Sequence, residues 1–176
     1  MNINDKQLKF FQSLSDRDFS ETFFSIIDKD RREVPLKANH VQADLEKGFV
    51  NSPFNVVLKY RKPGVSAWVQ LTKILSRSLR FKNINSVVLS FDKDSSQKML
   101  DRTLWTLDHL PKPFQVHLDR ESKNEVAIRE TNSKIYVGTP GSKAFGRGSD
   151  IDILHASEFG FWENAAVMSG LMEALT

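Results

Sequence analysis

The chain contains no cysteine. Disulfides and thiolate metal centres are therefore excluded, and a reducing compartment is allowed without being required. Histidine is sparse too. His40, His109, His117 and His155 form no ligand-spaced cluster, so a histidine-built metal or nucleophilic centre has little support. No apolar run approaches the ~18 residues that a membrane helix needs. The opening stretch MNINDKQLKFF lacks the basic-then-apolar layout of a secretory signal. Repeats and low-complexity tracts are missing as well. Only eight glycines occur, and four of them crowd into residues 138–148, which marks a loop there.

What is present suits an ordinary globular domain. The 176 residues are 40% hydrophobic and 27% charged, and thirteen phenylalanines supply much of the expected core. A net charge of +3 is compatible with nucleic acid but does not argue for it alone.

Taken in order, residues 5–14 read as a short helix. Residues 23–27 and 34–37 read as a hairpin around the charged turn at 28–31. Asn39 is placed to cap a helix over 40–49. The apolar run 54–58 reads as the central strand. A long amphipathic helix follows, with Trp68, Leu71, Leu75 and Leu79 on its buried face. Lys73, Arg77 and Arg80 lie on another face, either a solvated basic surface or a stripe that tracks DNA. Further strands are expected at 86–91, 114–118 and 151–156. A helix capped by Ser95 runs to about 110, where Pro111 stops it. Residues 125–130 and 134–137 form a hairpin, and a last helix covers 163–174. Strands alternating with helices after residue 50 predict an α/β fold: a mostly parallel sheet with helices on both faces. Residues 1–50 are expected to form an adapter segment and 51–176 the core.

Three pieces carry chemistry. The first is the strand–loop–helix at 54–81, the layout of a phosphate-binding loop, in which backbone N–H groups and cations meet an anion. The common pattern is G-x-x-x-x-G-K-[ST]. Here Lys59 stands for the first glycine and Val65 for the lysine, while Gly64 and the Ser66 hydroxyl are kept. The charge has moved forward, to Lys59, Arg61 and Lys62. A helix dipole adds only roughly 0.3–1 kcal/mol for an exposed anion, so the cations must supply most of the attraction. The second piece is the strand 151–156 ending in Ser157-Glu158, where a carboxylate can activate water beside a phosphate. Ser157 offers a neutral oxygen where an aspartate usually holds magnesium. Asp150 and Asp152 lie at the strand's far end, roughly 20 Å off at ~3.3 Å per residue. The third piece is Gln42, whose amide has the donor and acceptor that adenine's N6 and N7 require. An ordinary basic turn, an ordinary strand end and a surface glutamine are the bland alternatives.

Together these pieces resemble the large terminase subunit of tailed phages, the ATPase that packages DNA. Lys59-Tyr60-Arg61-Lys62-Pro63-Gly64-Val65-Ser66 looks like that family's deviant Walker A loop, K-x-R-Q-x-G-x-S-T, with Lys62 for the glutamine and Ala67 for the threonine. Leu154-His155-Ala156-Ser157-Glu158, followed by Trp162, looks like its Walker B end. Gly146-Arg147-Gly148 resembles the Arg-Gly that precedes this strand, and Gln42 falls where the family reads adenine. The resemblance spans residues 34–165.

The resemblance implies a P-loop NTPase core of the RecA/ASCE type, incomplete at its C-terminal end. It implies ATP hydrolysis with Mg2+ to move double-stranded DNA into a procapsid, in the host cytoplasm. Portal protein and small terminase subunit would be partners, within a homo-oligomeric ring and without a membrane. Lys59, Arg61, Lys62 and the backbone of Gly64 and Val65 would hold phosphates. Ser66 would ligate Mg2+, with Ser157 acting through a water. Glu158 would activate the attacking water, Gln42 would read adenine, and Arg147 would sense charge or act as a finger. The family's coupling motif and metal-dependent nuclease are absent from this stretch. A gap, an unpaired edge or a rearranged sheet is therefore expected, and a continuous five-stranded sheet within 51–176 would count against the topology. A helicase-like ATPase and a non-hydrolysing module that binds DNA or portal are the rival readings.

Overall fold

Asn4 accepts the backbone N–H of Gln7, and the Gln7 side chain reaches back to the Asn4 N–H. This capping box satisfies two donors that a helix start leaves orphaned, and it opens α1 (Asp5–Ser13). Ser15 caps α2 (Asp16–Phe23). The expected hairpin follows as antiparallel β1 (Ser25–Ile27) and β2 (Glu33–Pro35). Asn39 and Gln42 then repeat the capping box at the start of α3 (His40–Asn51). The computed structural model describes residues 4–60, 63–140, 150–162 and 171–175, with the side chains of Arg120 and Glu121 left aside. Most of the helix expected over 163–174 therefore lies outside the described residues.

Beyond the loop, α4 (Val65–Val69) runs without a break through a π-helical turn (Gln70–Leu75) into α5 (Ser76–Arg80). Trp68, Leu71, Leu75 and Leu79 are all buried, as their spacing predicts. After β3 (Asn85–Leu89) comes α6 (Lys93–Asp108). Its cap is Asp92 rather than the expected Ser95. The Asp92 carboxylate accepts both the N–H and the O–H of Ser95, which leaves the serine inside the first turn. The strand expected at 114–118 is displaced: Lys112–Phe114 is a 3-10 turn, and β4 occupies Leu118–Glu121. The hairpin partners β5 (Glu125–Ile128) and β6 (Ser133–Gly138) fall close to expectation. The last strand is β7 (Ile153–Ala156).

The main sheet has five strands in the order β4-β5-β6-β3-β7. This corrects the expected mostly parallel P-loop sheet. β3 pairs in parallel with β6 and β7, whereas β4/β5 and β5/β6 are antiparallel. With the β1/β2 hairpin, antiparallel pairings outnumber parallel ones. The sheet is also continuous and lies wholly within residues 85–156, the outcome named above as counting against the implied topology. Residues 54–58 are not a strand at all. Val56 is 94% and Leu58 96% exposed, and the turn before them is held by Ser52 and Asn55. Both flanks of β3 are already taken, so the run has no ladder to join there. A strand preference means fit to a pleated surface, and without that surface an apolar run has nothing to fit.

The helices also sit differently from expectation. Val88, Ile135 and Val137 face the large cluster formed with Trp68, Leu75 and Leu100 from α4 to α6. The alternate residues Val87 and Leu89 face a smaller cluster with Ile151 and Leu171. This is the period of a strand covered on two sides by unequal layers. Residues 1–50, expected as an adapter, share the large cluster through Phe11, Phe19, Phe24 and Leu36. Phe23 and Phe114 join them, with rings 4.4 Å apart. Each buried phenylalanine contributes about 1.5–3 kcal/mol by leaving water.

Lys73, Arg77 and Arg80 are engaged by acids within the fold, with Arg77 still half-exposed. Asp16, at the first position of α2, accepts Arg77 at 3.0 Å and Lys73 at 3.3 Å and pairs closely with Arg80. Arg80 is 2% exposed and also donates to the carbonyls of Phe11, Leu14 and Ser76. Burial pushes its pKa down while Asp16 pulls it back up. Glu46 on α3 accepts Lys73 and the Trp68 indole, each at 2.7 Å. Removing one partner of a buried pair orphans the other. Asp16→Ala is therefore expected to cost about 3 kcal/mol of unfolding free energy, and Arg77→Ala, at the exposed end, less than about 1. Urea melts of the two variants check this, and equal losses would refute the assignment.

Candidate functional site

The loop ahead of α4 is fixed from α3. Gln42 Nε2 donates to the carbonyl oxygens of Gly64 at 3.2 Å and Pro63 at 3.4 Å, and Asn39 Nδ2 donates to Pro63 at 3.1 Å. The other end of the Gln42 amide accepts the Asn39 N–H at 3.0 Å. Both ends of this buried amide are therefore committed. In this structure the group expected to read adenine is engaged in shaping the loop. Gly64 caps α4 with φ of 73°, in the left-handed region that favours glycine.

The parallel strands β6, β3 and β7 end together, and their ends meet this loop. Ser90 N–H donates to Gly138, and Ser157 N–H to Leu89, which ties the three C-terminal ends. Across 91 residues of chain, Ser66 Oγ lies 3.0 Å from Ser157 Oγ. Both residues line a cleft of about 260 Å3. Its near wall is Lys59, Gly64, Val65 and Ser66, and Ser157 and Glu158 close one end. Crevices at the carboxyl ends of parallel strands are where α/β sheets commonly bind ligands. The expectation that Lys59 and Glu158 share one cleft is met, although the strand expected to carry Lys59 is absent.

Glu158 has φ of 55° and ψ of 36°, a left-handed conformation that costs a non-glycine residue roughly 1–2 kcal/mol. It ends β7's turn and starts a 3-10 segment (Phe159–Phe161). Trp162 Nε1 donates to the Ser157 carbonyl at 3.3 Å, so the indole buttresses this corner. Asp152 is used elsewhere, accepting the Asn85 N–H at 2.7 Å and keying β7 to β3. Arg61, Lys62 and Arg147 lie outside the described residues.

Sequence reading missed the far wall. Ser90, Ser95, Lys98 and Arg102 all line the cleft. The last three fall on one stripe of α6, a spacing legible in the sequence, but nothing local tells that the stripe faces Ser66. Among the described residues lining the cleft, Lys59, Lys98 and Arg102 are cations and Glu158 is a carboxylate. Among the described residues no group of His, Cys, Asp and Glu is arranged to hold a metal on its own. No helix among them is long and apolar enough to cross a membrane.

His155 sits on β7 just before Ser157. Its Nε2 is sealed from solvent without a hydrogen-bond partner. Burial first, and then the charge of Lys59, push its pKa down from 6.5 to about 4. The ring is thus neutral at neutral pH.

A scan against protein-family models finds no match to this chain, and a search of curated proteins finds none either.

Two variants test the frame of the site. A Cβ on Gly64 would lie 2.8 Å from Gln42 Nε2, besides straining the backbone. Gly64→Ala is expected to destabilise by about 1–3 kcal/mol in denaturant melts; a neutral result would mean the loop is not held as described. For His155 the folded pKa lies below the unfolded one, so the unfolded chain takes up the extra proton. Its contribution is whole above pH 6.5 and is lost as pH falls toward about 4. Across that window His155→Asn should lose less stability than the parent chain, as thermal melts would show.

Proposed function

We propose that this chain binds the phosphates of ATP at the Ser66–Ser157 cleft and hydrolyses the terminal one. The observation that carries the reading is the 3.0 Å approach of those two hydroxyls, which joins the loop to the end of β7. The cleft, at about 260 Å3, falls just under the ~300 Å3 where ligand pockets usually begin, so it suits phosphates better than a whole nucleotide.

Lys59 offers a flexible cation to the phosphate oxygens. Glu158 is exposed at the cleft's end and held in a strained conformation, which suits a carboxylate that orients water and takes its proton. Ser66 and Ser157 are hard oxygen donors. They fit Mg2+, which keeps several waters and draws most of its compensating charge from substrate phosphates. When bound there, the ion would polarise a phosphoryl oxygen and neutralise developing charge. The two serines would hold it, after giving up their mutual hydrogen bond.

The wider reading is the ATPase part of a phage terminase large subunit. It would act in the host cytoplasm on double-stranded DNA, with portal protein, small subunit and further copies of itself in a ring. The order and spacing of the motifs around Lys59 and Glu158 support it, and it does not rest on a P-loop sheet.

Phosphate release with and without double-stranded DNA tests the proposal. Glu158→Gln should lower turnover about 10²–10⁴-fold while ATP affinity, measured by calorimetry, stays at the parent value. Undiminished turnover in that variant removes Glu158 from the chemistry, and a parent chain that binds no ATP removes the reading altogether.

A further inference from the structure

The cleft's far wall holds an arginine without a counter-ion. Among the described residues no carboxylate comes within 4.0 Å of Arg102, and its recorded hydrogen bond goes from Nη1 to Gln70 Oε1 at 2.9 Å. Burial pushes its pKa down, and no acidic group offsets the cost. A partly buried cation is normally paired, because leaving water costs more than a neutral hydrogen bond returns.

Gln70 is itself fully buried. Its Nε2 donates to the Met99 carbonyl at 2.5 Å and to Thr103 Oγ1 at 2.7 Å, which leaves Oε1 aimed at the guanidinium. The residue begins the π-helical turn, a local widening that re-aims a side chain and recurs at functional sites. Ser90 adds an independent sign. It is 1% exposed, lines the same cleft, and its hydroxyl has no partner. Among the described residues Arg102 thus brings to the cleft a guanidinium met by one neutral amide, and Ser90 a hydroxyl with no partner.

We infer that Arg102 is the receptor for the terminal phosphoryl group in this cleft and that Gln70 is its positioning residue. The inference rests on the proposed nucleotide site but names a contact from α6, outside the loop and the strand end. A guanidinium suits this role because its planar fork can meet two phosphoryl oxygens at once.

Calorimetry on the full 176-residue chain, with inorganic triphosphate and with ATP plus Mg2+ as probes, tests it. Arg102→Gln should weaken triphosphate binding at least about tenfold, and Arg102→Lys should recover part of the loss. The thermal midpoint of Arg102→Gln should not fall, since no ion pair is broken. Gln70→Glu supplies an internal anion, so it should weaken binding at neutral pH and regain affinity as the new carboxylate is protonated. A purely structural glutamine would show no such recovery. Parent-like triphosphate affinity in Arg102→Gln overturns the inference even where ATP is still hydrolysed. Arg102-dependent triphosphate binding without any ATP hydrolysis keeps the inference and overturns the ATPase reading. A parent chain that binds neither probe overturns both.

Discussion

One carboxylate sets the geometry of the whole molecule. Asp16 draws Lys73, Arg77 and Arg80 to the start of α2, and so locks the N-terminal helices onto the far end of α5. α4, the π turn and α5 form one continuous rod. At ~1.5 Å per residue, fixing Arg80 therefore also fixes Ser66, roughly 20 Å away. Glu46 holds the same rod midway, through Lys73 and Trp68. The rod's opposite end then meets α3 through Gln42, and the loop before it has little freedom left. Ion pairs at one end of the rod and hydrogen bonds from α3 at the other thus both bear on where the cleft-lining loop sits.

The sheet completes the site from below. Only its parallel part, β6-β3-β7, brings strand ends together at one edge, while the antiparallel strands β5 and β4 extend the sheet away from the site. The mixed topology still leaves a crevice at the carboxyl ends of neighbouring parallel strands, the place where α/β sheets commonly bind ligands. It does so without a central strand leading into the loop.

Most local structure was legible in the sequence because it is set by local chemistry. The Asn39 cap, the buried face of α4 and α5, and both hairpins follow from residue spacing alone. Three features were not legible. Residues 54–58 have a strand's composition, but whether a ladder is free to receive them is decided by distant residues. The engagement of the Gln42 amide with Asn39, Pro63 and Gly64 was not foreseen, because the groups suited to adenine are also those that complete a capping box. Lys73, Arg77 and Arg80 look like a free basic stripe until Asp16 and Glu46 arrive from segments far earlier in the chain. Each miss is a competition between a local reading and a partner that only the tertiary structure supplies.

Arg80 and Arg102 show how the same side chain serves two ends. Both point inward from helices that cover one face of the sheet, and burial depresses both. Arg80 is answered by a carboxylate and three carbonyls, so its charge is settled within the fold. Arg102 is answered by a single neutral amide among the described residues and lines a cleft with Lys59 and Lys98. A fold that can place Asp16 against three cations has the means to neutralise another. Among the described residues Arg102 nevertheless meets no carboxylate, and the Ser90 hydroxyl in the same cleft has no partner, which is the pattern that the proposed anion site would use. The strain at Glu158 and the uncompensated guanidinium both lower stability, and both lie on the same cleft. Stability given up at one place, and well defended elsewhere, is the physical mark of a surface shaped for a ligand.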